Sequence, residues 1–151
     1  MIRPITKQKF FLKQPGEDAT AQDLDIAYDL ADTLDSYRAH CVGMAANMIG
    51  QRRRIIAVVD EANKILVMLN PRIVSQASPY STSEGCLSLD GVRNTTRFRR
   101  ITVEWQDVSL EQKRATFKGR VAQAIQHEVD ATMPGYKCRV VFDKGYIASV
   151  E

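Results

Sequence analysis

Apolar residues recur at helical spacing in two stretches of this chain and at alternate positions in several others. Leu24, Ala27, Tyr28, Ala31 and Leu34 lie three or four residues apart, which places them on one face of an α-helix. Ahead of them, Thr20 and Asp23 have the spacing of a capping box, in which each side chain satisfies the other residue's backbone N–H. A helix is predicted from about Ala21 to Ala39, ended by the loop Cys41-Val42-Gly43. The second stretch follows Gly119, with Val121, Ala122, Ile125 and Val129 on one face and Pro134-Gly135 as its stop. Residues up to about Ala19 have no period, and Pro4, Pro15 and Gly16 make them an irregular arm.

Elsewhere the period falls to two. Ile55 to Val59 and Ile65 to Leu69 are strand-like runs joined by Asp60-Glu61-Ala62-Asn63-Lys64, which reads as a hairpin. Asn70-Pro71 reads as a turn, Ile73-Val74 as the start of a short strand, and the Ser-, Thr- and Pro-containing stretch from Ser75 to Ser83 as a loop. Ile101, Val103 and Trp105 alternate with Thr102, Glu104 and Gln106, the pattern of a half-buried strand with which Arg114 to Phe117 could pair. Cys138 to Val150 reads as two further strands broken at Asp143-Lys144-Gly145. With no internal repeat and no linker, residues 1–151 are expected to form one α+β domain.

Composition narrows the class. A chain of 151 residues with 44% hydrophobic and 26% charged positions has the balance of a globular protein and not of a disordered one. No apolar run approaches the length of a membrane span, and Met1 to Lys7 lack the apolar stretch of a secretory signal. A cytoplasmic location and no membrane partner are therefore expected. The net charge of +3 is small. Two basic clusters, Gln51-Arg52-Arg53-Arg54 and Arg97-Phe98-Arg99-Arg100, flank strand-like runs and read as solvated edge charges, so no specific nucleic acid is expected. Cys41, Cys86 and Cys138 are an odd count and do not suggest a disulfide framework. Each is a small buried hydrophobe or a thiolate with a role. Only two histidines, His40 and His127, are present.

Three short segments carry candidate chemistry. Gln126-His127-Glu128-Val129-Asp130-Ala131 lies in the second predicted helix and opens like a His-Glu-x-x-His zinc motif, but Ala131 stands at the second histidine's position. Two imidazoles four residues apart share a helical face and can bind one metal, whose water the neighbouring Glu deprotonates. Glu84-Gly85-Cys86-Leu87-Ser88 sets a cysteine beside a glycine at the edge of a strand, where a thiolate could meet a borderline metal. Gly43-Met44-Ala45-Ala46-Asn47-Met48-Ile49-Gly50 has the small residues that let two backbones approach closely. Alone, each is read as readily as a surface pair, a buried cysteine and ordinary tight packing.

Together, in this order, the three resemble the peptide deformylase family. That family has Gly-x-Gly-hydrophobic-Ala-Ala-x-Gln, then Glu-Gly-Cys-hydrophobic-Ser, then Gln-His-Glu-x-Asp-His. The chain matches at Gly43, Ala45 and Ala46, at all of Glu84 to Ser88, and at Gln126, His127, Glu128 and Asp130. The resemblance implies an α+β fold with antiparallel β-sheets around a central helix carrying the His-Glu motif. It implies a divalent metal, Fe2+ in the cell with Zn2+ or Ni2+ possible, that serves to remove the N-formyl group from the initiator methionine of nascent polypeptides. By position, Cys86 and His127 would be metal ligands and Glu128 the general base. The Leu87 backbone amide would help hold the oxyanion, and Gly43 and Gly85 would line the peptide groove. The partners implied are N-formylmethionyl peptides and nascent chains at the ribosome.

The chain departs from the family pattern at three places. Ala131 replaces the third metal ligand, with His40, Asp130, Cys138 or a water as substitutes. Met48 replaces the Gln whose amide donates to the oxyanion, and Asn47 beside it would point to the opposite face of an extended segment. Beyond Asp130, Gly135 falls four residues after Ala131 where the family's helix has a Gly three residues after its last His. Two readings follow: a metallohydrolase impaired at Ala131, or a non-catalytic paralogue that binds N-terminal peptides without a competent metal centre.

Overall fold

A computed structural model describes residues 1–6, 15–85 and 92–132. Five strands form one antiparallel sheet in chain order: β1 (Gly43–Ala45), β2 (Ile55–Val59), β3 (Ile65–Gly85), β4 (Val92–Gln106) and β5 (Gln112–Lys118). One helix packs on each face, α1 (Leu24–Ser36) and α2 (Gly119–Thr132). This is the expected α+β class, built on a single sheet among the described residues. The strands expected between Cys138 and Val150 and the Pro134-Gly135 stop lie outside the described residues.

Strand alternation divides the core in two. Ile55 and Ala57 of β2 join Ala27, Leu30 and Leu34 of α1, while Ile56 and Val58 join Ala122, Ile125 and Val129 of α2. β2 is therefore apolar at every position because both of its faces are covered. Burying a leucine as fully as Leu30 or Leu34 contributes roughly 1.5–3 kcal/mol. Tyr28 shares the spacing of that helical face but remains half exposed.

The capping box forms as expected, with Asp23 Oδ2 accepting from Thr20 N at 2.8 Å and Thr20 Oγ1 accepting from Gln22 N at 3.2 Å. It caps a short 3-10 turn, Ala21–Asp23, that leads into α1. The helix stops at Ser36, earlier than Ala39, and hydrogen-bonded turns through Tyr37 and His40 finish the segment.

Two local expectations are corrected. Ser75 to Ser83 is not a loop: it is strand, paired with β4 from Ser75↔Thr102 to Ser83↔Asn94. Its polar side chains are mostly exposed, so the pairing partner and not a buried face makes it a strand. Nor does Asn70-Pro71 end the preceding run. The register shifts between Leu69 and Arg72, so the pair forms a bulge inside β3. Asn70 takes a left-handed backbone with φ 51°, which asparagine tolerates better than most residues. Its side chain holds both the N–H and the C=O of Ala19, at 2.7 and 2.9 Å, and so ties the start of the capping segment to the sheet.

Candidate active site

The C-terminal half of α2 crosses the sheet beside the end of β3 and the start of β4, and it brings His127, Glu128 and Asp130 to Glu84 and Arg97. Gln126 seats the helix there. Its side chain accepts from Phe98 N and donates to Phe98 O, both at 2.9 Å, as a strand partner would. Gln126 thus docks α2 on β4.

Glu84 is the hub of the site. Its oxygens accept from Arg97 Nε at 2.9 Å, Arg97 Nη2 at 2.8 Å and Gln123 Nε2 at 3.0 Å, and His127 Nδ1 lies 2.8 Å from Oε1. These four contacts use about all the lone-pair sites a carboxylate has. Arg97 Nη1 also reaches Asp130 Oδ2 at 2.6 Å. Burial opposes ionisation of Glu84, but donation from Arg97, then the hydrogen bond and charge of His127, outweigh it and hold the carboxyl well below the usual range. An ionised carboxylate only accepts, so in the neutral imidazole Nδ1 carries the proton and the lone pair sits on Nε2. A carboxylate behind a histidine in this way fixes the ring orientation of metal-ligating imidazoles.

Glu128 is the opposite case. It is fully buried, and neither carboxyl oxygen has a hydrogen-bond partner among the described residues. Burial pushes its carboxyl well above the usual range, the Glu84 charge adds to this, and Arg97 offsets part. The two carboxyls of one site are thus driven apart, Glu84 downward and Glu128 upward, a pattern found where two acids divide acid and base roles. Gly43 makes room for it: a Cβ there would lie 2.9 Å from Glu128 Oε2 and 3.1 Å from its Cγ. Cys41, two residues earlier, is buried, and its thiol is pushed up to about 12 by burial and then by the Glu128 charge, against a pull from the Gly43 backbone. It is a packed thiol, the bland alternative for that cysteine.

The donor set fits a metal only in part. His127 is held as a ligand should be, but one helical turn on, Ala131 offers a methyl group. Among the described residues no three of His, Cys, Asp and Glu converge on one ion. His40 is exposed in the turn after α1, whereas His127 is buried within the network. Asp130 is bound to Arg97. Cys86 and Leu87 lie outside the described residues, as does Cys138, and Gly85 ends β3 opposite Val92. The described residues do not complete a metal centre.

The segment holding Asn47 and Met48 is not extended. Ala46–Ile49 is a 3-10 turn, and Met48 lies wholly in the α1-side core with Met44 and Ala46. Asn47 is buried, with Nδ2 at 3.5 Å from Ala131 O and Oδ1 unpartnered among the described residues. Sequence reading also missed Arg97, taken there as a solvated edge charge; its side chain is 4% exposed. A signal existed. Continuing the alternation of Trp105, Val103 and Ile101 toward the start of β4 puts Arg97 on the α2 side.

Known proteins share this chain's sequence and fold. The family described as Polypeptide deformylase matches residues 3–136. A peptide deformylase from Clostridium beijerinckii is 47% identical over 130 residues, covering 86% of this chain and 95% of the relative. A crystal structure of a peptide deformylase from Legionella pneumophila superposes with a TM-score of 0.75 at 29% identity, over 87% of this chain and 81% of that one. A Met-Ala-Ser-bound class I type b peptide deformylase from Acinetobacter baumannii shares the fold with a TM-score of 0.75 over 98% of this chain and 97% of its own, at 24% identity.

Proposed function

Because this chain belongs to the peptide deformylase family, whose members are metal-dependent and remove formyl groups, we propose that it hydrolyses the N-formyl group of formylmethionyl peptides, with activity impaired at Ala131. One observation carries the reading: the buried Arg97–Glu84–His127 relay is complete. A network whose effect is to orient one imidazole has little purpose in a chain that no longer uses that imidazole.

In this reading Glu128 is the proton carrier, taking a proton from the attacking water and passing it to the leaving amine. Both of its oxygens are without a hydrogen-bond partner among the described residues, so they are available to exchange a proton with a bound molecule. Gly43 and Gly85 would line the peptide groove, and the Leu87 amide would help hold the oxyanion. His127 and Cys86 would hold the metal. Fe2+ is the ion expected, with Zn2+ or Ni2+ as alternatives, and a side chain is missing from the donor set at Ala131. Disturbing a residue that merely orients a ligand costs ~10–100-fold in metal affinity or activity, so loss of a donor costs at least as much. The substrates are nascent chains bearing formylmethionine, met in the cytoplasm at the ribosome. No helix among the described residues is long and apolar enough to cross a membrane.

The absent donor also favours a second reading, a non-catalytic paralogue that binds N-terminal peptides without a working metal centre. The test is formate release from a formyl-Met tripeptide, run anaerobically with Fe(II) or Ni(II), for the parent and Ala131→His, with bound metal measured after desalting. Slow release by the parent and a gain of at least ~10-fold in both retained metal and rate for Ala131→His are expected. No formate from either folded protein would replace the hydrolase with the paralogue.

A further inference from the structure

Among the described residues, every buried side-chain oxygen without a hydrogen-bond partner lies on α2 or against it: Asn47 Oδ1, Gln123 Oε1 and both oxygens of Glu128. Glu128 has a part in the proposed chemistry, and Gln123 has none. Gln123, His127 and Ala131 are spaced by four, so they form one row along the helix. Glu84 spans the first two, accepting from Gln123 Nε2 at 3.0 Å and lying 2.8 Å from His127 Nδ1. The Gln123 amide therefore stands about one helical turn from the imidazole, and Asn47 meets Ala131 one turn beyond it.

The orientation of that amide is fixed. As an ionised carboxylate Glu84 only accepts, so the NH2 group of Gln123 must face it and the carbonyl oxygen must point away. Gln123 is 1% exposed, and water does not reach its Oε1 from bulk. A buried acceptor left unmade is costly, because it gives up hydration and gains nothing in exchange. A donor on a bound molecule would complete it. The backbone of an extended peptide has another place to bind. β1 is the first strand of the sheet and pairs only with β2 among the described residues, so its outer edge is open to such a chain. A side chain of the peptide is then the group left to meet Gln123. Methionine brings no donor there, since its thioether sulfur is only a weak acceptor.

We propose that Gln123 is a specificity-determining residue. Its Oε1 accepts a hydrogen bond from the first side chain of the bound peptide, so a formylated residue ending in an N–H or O–H donor binds more tightly than formylmethionine. This rests on the peptide site of the proposed function. Glutamine gives the sharpest comparison, because its side chain is unbranched like that of methionine and ends in an NH2 group.

The test is isothermal titration calorimetry of the intact protein with formyl-Gln-Ala-Ser and with formyl-Met-Ala-Ser, without added metal, so that binding is read apart from hydrolysis. The expected result is a Kd roughly tenfold lower for the glutamine peptide, the effect of completing one buried acceptor. In Gln123→Leu, with its fold checked by thermal melting, the two peptides should bind equally or the methionine peptide more tightly. Should that variant fail to fold, the two peptides on the parent still decide the matter. Equal affinities in the parent, tighter binding of the methionine peptide, no binding of either, or an undiminished glutamine preference in folded Gln123→Leu would each overturn the inference. Formate release without a glutamine preference overturns this inference alone. A glutamine preference without formate release from either peptide overturns the hydrolase alone.

Discussion

Replacing Arg97 with methionine is the most informative single perturbation of this fold. It removes two hydrogen bonds to Glu84 and one to Asp130. Glu84, with a side chain 3% exposed, is then left with Gln123 and His127. A buried ion that loses its partner costs roughly 3–5 kcal/mol, against a total stability of order 5–15 kcal/mol for a domain. At ~2–4 °C per kcal/mol for a chain of this size, Tm should fall by ~6–20 °C. Urea unfolding followed by the fluorescence of Trp105, the single tryptophan and a member of the α2-side core, measures the loss directly. The double variant Arg97→Met, Glu84→Met removes the stranded charge as well, and most of the lost stability should return. Asp130 can meet the change by hydration, since its side chain is 31% exposed. A cost below ~1 kcal/mol for Arg97→Met, the level of a surface pair, would refute the account, and so would a double variant no more stable than the single one.

Three further outcomes follow from the same geometry. Gly43→Ala should cost ~1–3 kcal/mol by urea unfolding, because its Cβ meets the carboxyl group of the fully buried Glu128; an unchanged midpoint would contradict the close contact. Glu84 has a folded pKa below its unfolded value, so its stabilisation is complete above the unfolded value near ~4.3 and is lost as pH falls through the folded one. Parent stability should therefore drop faster than that of Glu84→Gln between about pH 4.5 and pH 3, and parallel pH curves would count against the relay. Cys41, buried and with its thiol pushed up to about 12, should resist iodoacetamide at neutral pH until the protein unfolds; labelling of the native protein at Cys41, located by peptide mass mapping, would show an opening that the fold does not contain.

The elements that sequence revealed are those whose signal is local. The α1 capping box, the β2–β3 hairpin and the α2 face all follow from period and from residues a few positions apart. What stayed hidden depends on partners far along the chain. Ser75 to Ser83 is a strand because β4 lies beside it, and nothing within its own nine positions says so. Arg97 has the composition of an edge charge, and only the arrival of Glu84 and Asp130 from two other elements makes it a buried one. Asn47 and Met48 lie in a 3-10 turn, where the alternation of a strand does not decide which face a side chain takes. The site was legible as motif residues, while the hydrogen bonds that orient them were not.

The strands lie in the sheet in the order in which they are made. Each can pair with the strand just completed, so the sheet can grow by short-range closures as synthesis proceeds. The pairings with α2 must wait, among them the contact between Gly43, in the first strand, and Glu128, in the last described helix. Until α2 arrives, the face of Ile56, Val58 and Val103 has no cover, and Glu84 and Arg97 have neither His127 nor Asp130. Completion of this face of the core and assembly of the site are therefore one event, the arrival of α2. A chain stopped before α2 would carry an open apolar sheet and would be a substrate for aggregation or proteolysis, so the cell would hold this fold with its site assembled or hold neither.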